Sequence, residues 1–242
     1  MYKPFLEHLE TELNRRFSLQ RRPIPEGLEL RASNPERHPA TIQSWCYQCP
    51  ELRKVRYTYI DAGETSQILN SVIYPSHHYD LPLLGVDFLS FGKAKNLVVM
   101  DFQPLFQEAA YLEKYTAPLK ALHDRYPDLN QGLEMKSYDA NQYFSKYLLF
   151  AKTDPKTVQT LVFEAFKEYL QLYLQLLDDA KPLSNSIAIQ RVRQAQKDYD
   201  QYSAERDPAA GLFKGYFGHD WAERFLYEFL FEEAIPLVTS VR

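Results

Sequence analysis

Between residues 68 and 101 the chain passes through three short apolar runs, 68–74, 83–91 and 97–102, interrupted by Pro75, Pro82 and Gly92. Runs of this length between breakers predict sheet strands joined by turns. The middle run contains an acid, Asp87. Residues two apart share a strand face, so Asp87 projects with Leu89 and Phe91. A carboxylate on an apolar face costs several kcal/mol unless it is paired or protonated. Its pKa is then pushed upward, which makes Asp87 a candidate proton donor near neutral pH. In the alternative, Val86, Phe88 and Ser90 form the inner face and Asp87 looks at water; periodicity alone admits both.

The chain has 242 residues, 45% hydrophobic, with 25% charged and a net charge of −4. That is enough for one large domain or two small ones of ordinary soluble composition. No basic block is sustained, which excludes wholesale nucleic-acid binding. Eighteen Tyr and fifteen Phe against eight Gly suit a pocket for a flat, conjugated ligand, and suit an aromatic core equally well. No run of about 18 apolar residues is present, so no membrane-spanning helix is expected. The start, MYKPFLEHLETEL, lacks the basic and apolar regions of a secretory signal. A reducing, cytoplasmic compartment is expected (plastid stroma in a eukaryote). The two cysteines, Cys46 and Cys49, form C-x-x-C. Strand-like residues flank the pair and Pro50 follows it, so the helix N-terminus that activates a redox thiol is missing. No second C-x-x-C completes a zinc site.

Residues 4–16 place Phe5, Leu6, Leu9 and Leu13 at helical spacing, and 17–40 reads as an Arg- and Pro-rich irregular loop. Between 41 and 59, Pro50 separates two strand-like segments. In the second, Val55, Tyr57 and Tyr59 alternate with Arg56 and Thr58, giving one apolar and one polar face. A helix broken at Pro118 is expected over 105–126, a turn-rich stretch after it, and one more strand at 147–151. Asp154 and Pro155 then open a long helix to about residue 180. Further helices are expected over 186–202 and from Gly218 onward. His77 and His78 fall in a turn without a third metal ligand nearby. Without repeat or linker, the chain reads as one domain, 1–242. Consecutive strands on short turns pair antiparallel, and helices on both sheet faces give an α/β class fold, an α/β/α sandwich.

The segments PEGLE, LRKVRYT, NSVIYP, YDLPLLGVDFL, MDFQPL, NQYFSKYLLF and SAERDPAAGLF resemble, in order and spacing, the ferredoxin-dependent bilin reductases over nearly the whole chain. The resemblance implies a mostly antiparallel sheet between helices, with a linear tetrapyrrole held between the sheet and the C-terminal helices. It implies reduction by single electrons from ferredoxin, with no bound metal or organic cofactor.

On the same resemblance, Asp87 points into the bilin pocket and takes part in proton transfer. Asp207, in ERDP, matches a second pocket acid; the residues alone favour a helix-ending turn before Pro208 there. Asn70 stands seventeen residues before Asp87, where members making phycocyanobilin carry histidine, which implies a different product. The implied reaction is reduction of biliverdin at the 15,16 methine bridge to 15,16-dihydrobiliverdin. The alternatives are an A-ring or four-electron reductase making phycoerythrobilin, or a bilin carrier without catalysis. Asn70 would orient a lactam oxygen or a water, and Arg206, Lys214 and Arg56 would meet the propionates. Ferredoxin is acidic, so docking needs a local basic patch, from Lys146, Lys152 and Lys156 or from Arg191, Arg193 and Lys197. A monomer is expected, handing its product to a second bilin reductase.

Overall fold

The computed structural model describes residues 1–33, 39–92, 94–139 and 141–236. Helix α1 (Lys3–Arg16) leads into two short strands, β1 (Gln20–Arg21) and β2 (Leu30–Ala32). Both pair with β3 (Thr41–Gln48). The stretch expected to be irregular therefore supplies partners to an otherwise open strand edge; residues 34–38 of it lie outside the described residues. The ladder continues through β4 (Leu52–Asp61), β5 (Ser66–Pro75), β6 (Leu83–Phe91) and β7 (Lys95–Gln103), each antiparallel to the last. The helical stretch expected over 105–126 divides at Pro118 into α2 (Ala109–Tyr115), a single 3-10 turn and α3 (Lys120–Arg125). Strand β8 (Leu149–Thr153) closes the sheet against β7.

Asp154 then caps the next helix, its Oδ1 accepting from the backbone N–H of Lys156 at 2.8 Å and of Thr157 at 3.2 Å. That helix runs as α4 (Pro155–Thr157), a π-helical turn at Val158–Val162, and α5 (Phe163–Asp179). Asn185 caps α6 (Ser186–Arg206) through the Ile187 N–H at 2.9 Å. Two short helices follow, α7 (Ala210–Phe217) and α8 (His219–Arg224), and a π-helical turn, Phe225–Leu230, extends α8. Helix α7 is absent from the sequence reading, because Gly211 and Gly215 within it depress its helical propensity.

The sheet has a core on each side. Phe5 and Leu9 of α1 and Phe166 and Tyr169 of α5 pack on Val55, Leu69, Val86 and Phe88. On the other side α6, α7 and α8 pack on Ile42, Ile60, Ile68 and Tyr74. With both faces covered, the polar face expected for β4 does not meet water: Arg56 is 1% exposed and Thr58 2%. This corrects the amphipathic reading of that strand and places its polar residues under the C-terminal helices.

Candidate active site

A cavity of about 600 Å³ opens between the sheet and α6, on the side of the C-terminal helices. It falls within the ~300–1,000 Å³ typical of small-molecule sites. Asn70 of β5, Asp87 of β6 and Val99 of β7 lie on its floor, with Arg56 of β4 beside them. Tyr138, Tyr143, Phe144, Tyr199, Tyr202 and Phe231 supply aromatic walls. Asp207 and Pro208 close it from the end of α6.

Both readings of Asp87 contain part of its environment. Val86 and Phe88 do face inward, into the core against α1 and α5. Asp87 faces the other way, with the partly buried Leu89, and what it meets is the cavity. Burial first, and then the neighbouring Asp207, push its carboxyl up to about 7; the Asn70 hydrogen bond and the Arg56 charge oppose the rise. Asn70 and Asp87 are direct cross-strand partners. Asn70 Nδ2 donates to Asp87 Oδ1 at 3.3 Å, and Arg56 Nη1 donates to Asn70 Oδ1 at 2.6 Å.

Asp207 fills two roles at once. Its Oδ1 accepts the Ala209 N–H at 2.8 Å, the turn that ends α6 and starts α7. Its carboxyl also lines the cavity, and burial raises its pKa against the lowering effect of the Ala209 bond and Arg56. The structure thus brings Arg56, Asn70, Asp87 and Asp207 to one cavity. Arg206 and Lys214 do not line it. Arg206 pairs with Glu205 at 3.0 Å and stacks over Tyr202, and Lys214 lies 3.9 Å from Glu223 at the surface. The cations at the cavity's exposed side are Lys136 and Lys152.

Sequence reading missed Tyr138, which comes from the turn-rich 127–144 stretch and stands half-buried in the cavity near Asp207 and Asp87; desolvation and those charges raise its pKa well above the usual tyrosine value. No periodicity marks such a residue. Asp101 on β7 was also missed as a cavity acid. Burial raises its pKa to about 8, although Ser145 donates to it from N–H and Oγ, both at 2.6 Å. Cys46 is buried and Cys49 half-buried, both as free thiols with raised pKa. His77 is half-buried, and burial together with Arg53, Arg193 and His78 lowers it to about 4. Among the described residues, no three His, Cys, Asp or Glu side chains stand together as a metal-binding group, and no helix is long and apolar enough to cross a membrane.

The fold has close company. A phytochromobilin synthase from tomato, solved in complex with biliverdin, superposes with a TM-score of 0.88 at 24% identity, over 96% of this chain and 83% of that one. At that identity the likeness speaks for the fold. A protein of Nostoc punctiforme named 15,16-dihydrobiliverdin:ferredoxin oxidoreductase is 71% identical over 99% of this chain and 98% of its own length. Its namesake in Gloeobacter violaceus is 63% identical over the same shares, and one from a Synechococcus strain is 46% identical over 98% of this chain and all of its own. Residues 6–232 match the model of the ferredoxin-dependent bilin reductases, and with that match and these relatives in place the chain belongs to that family.

Proposed function

We propose that this protein reduces biliverdin at the 15,16 methine bridge to 15,16-dihydrobiliverdin, with reduced ferredoxin as the electron donor. The observation that carries the reading is the meeting of Asp87 and Asp207, one from the sheet and one from a helix end, in an aromatic-walled cavity of about 600 Å³. The relatives' names supply 15,16-dihydrobiliverdin and ferredoxin, and the tomato neighbour is solved with biliverdin.

The reaction balances as two electrons, one from each of two ferredoxins, and two protons added across one double bond. The conjugated bilin accommodates the unpaired electron, so the protein's work is to hold it, exclude water and deliver protons. Asp87, raised to about 7, carries its proton in roughly half of the molecules at neutral pH and gives it to the bilin from the sheet side. Asp207 gives the second from the helix side. Lys136 and Lys152 line the cavity where it meets solvent, and there they face the propionates more directly than Arg206 or Lys214 would. Lys152 also continues the exposed Lys146 and Lys156, which favours this edge over Arg191, Arg193 and Lys197 for docking an acidic ferredoxin near the substrate.

The test is an anaerobic reaction of biliverdin with reduced ferredoxin, followed by absorbance and chromatography. A single blue-shifted product matching 15,16-dihydrobiliverdin is expected. Phycoerythrobilin as the end product would assign both reductions to one protein, and bound but unaltered biliverdin would make it a carrier.

A further inference from the structure

Arg56 is the largest fully buried side chain among the described residues. Its guanidinium is held at both ends: Nε donates to the Leu230 carbonyl at 3.1 Å and Nη1 to Asn70 Oδ1 at 2.6 Å. The Phe231 ring lies 5.3 Å from its central carbon. Leu230 is itself secured, because the neighbouring Lys54 Nζ donates to the Phe229 carbonyl at 2.5 Å and reaches the Leu230 carbonyl at 3.4 Å. The fork is therefore fixed between the C-terminal helical turn and the sheet.

A guanidinium offers donors and no acceptor. Asn70 must turn its carbonyl oxygen to Arg56, and its NH2 is what remains for Asp87. An NH2 group cannot accept, so Asp87 Oδ1, 3.3 Å away, is the oxygen without the proton. Without Arg56 the amide could turn over and offer Asp87 an acceptor instead, placing the acid's proton on the oxygen nearest Asn70. From this chain of donors we propose that Arg56 is a positioning residue: by locking the Asn70 amide, it fixes the Asp87 proton on Oδ2 and gives the donor one orientation. The proposal rests on Asp87 being the proton donor for the bilin. It assigns the Arg56 charge to this relay instead of to a propionate.

The groups that face Asp87 are Arg56 from β4, Asp207 from the end of α6 and Tyr138 from the 127–144 stretch, while Tyr2 feels its charge from the opposite face of the sheet, beside Phe88. Asp101 of β7, Tyr199 and Tyr202 of α6, and Lys136 and Lys152 share its cavity. Any titration of Asp87 is read against this set, of which only Arg56 changes in the variants below.

Two measurements on the bilin-free protein test the relay. Neutron diffraction from crystals near pH 6 locates the proton in the unaltered chain: deuterium on Asp87 Oδ2 and the Asn70 ND2 group facing Asp87 are expected. Deuterium on Oδ1 overturns the proposal. The second is the titration of Asp87, followed by ¹³C-carboxyl NMR in Arg56→Lys, Asn70→Leu and the double variant. Lysine keeps the charge without the planar fork, so the midpoint is expected to rise by about half to one pH unit as the donor to Oδ1 is lost. Asn70→Leu is expected to produce the same rise, with no further rise in the double variant. An unchanged midpoint in Arg56→Lys, or additive shifts, overturns the relay. Neither result depends on catalysis, so failure of the anaerobic reduction assay remains a separate finding about function.

Discussion

Asn70 and Asp87 are paired across the β5–β6 ladder, so their seventeen-residue separation in sequence is the length of one strand, one turn and the way back. The pairing sets an amide against the acid on every molecule. Replacing Asp87 by Asn removes the titrating proton and keeps the shape. Bilin binding is expected to persist while reduction slows by about 10²-fold or more, the usual contribution of a general acid. Stopped-flow absorbance and electron paramagnetic resonance under anaerobic conditions check this; turnover at the original rate would place the proton source elsewhere.

The pH dependence follows from the same carboxyl. A general acid works in its protonated form, so the rate is expected to decline as pH rises through about 7, where Asp87 loses its proton. Stability moves in the same direction. The folded acid holds a proton that the unfolded one releases near 4, so the unfolded state binds fewer protons between about 4 and 7 and stability falls as pH rises through that window. The cavity admits water, which limits the effect to on the order of 1–2 kcal/mol. Thermal unfolding of Asp87→Asn against the unaltered protein at pH 5 and pH 8 should show the variant gaining relative stability at the higher pH.

Gly85 lines the cavity two residues before Asp87. A methyl group there would lie 2.6 Å from Cδ and Oε1 of Gln103, whose Oε1 accepts from Tyr199 at 2.7 Å. Gly85→Ala is expected to fold, displace Gln103 and break that bond. Losing about 1 kcal/mol of ordering corresponds to roughly fivefold weaker bilin binding, measurable by absorbance titration.

Lys54 is 1% exposed and holds the Phe229 carbonyl, with Glu232 at 3.4 Å as its counter-charge. Lys54→Met leaves the end of the C-terminal turn without this donor. A loss of about 2–3 kcal/mol in a denaturant titration is expected, the scale of a hydrogen bond to a charged group. Arg22 and Arg53 still pair with Glu232, which keeps the cost below that of a stranded buried charge.

Reduction driven by ferredoxin should slow as ionic strength rises, since attraction between exposed charges is screened beyond about 10 Å at 0.1 M salt. Lys152→Glu should slow it further and flatten the salt response. A rate indifferent to both would move the docking surface away from β8.

What the sequence disclosed and what it hid divide by range. The Asp154 cap, the Pro118 break and the strands from β3 to β8 are local events, written in neighbouring residues. Arg56 reads as the polar side of a half-exposed strand because nothing near it in sequence tells of Leu230, 174 residues later. Asp87 showed that it was an anomaly, while the second layer that turns its outer face into a cavity came from α6 and the C-terminal turn. Tyr138 and Asp101 gave no sign, one in an aperiodic stretch and one in a strand whose alternation is ordinary.

The register of the β5–β6 ladder carries a further consequence. A slip of one residue would exchange the two faces of β6, sending Asp87 among Phe5 and Phe166 and delivering Phe88 to the cavity. Neither a dry hydrophobic interior nor a working acid could survive that mispairing. The hairpin therefore proofreads itself: a molecule folded well enough to persist has, by the same pairing, already armed its chemistry.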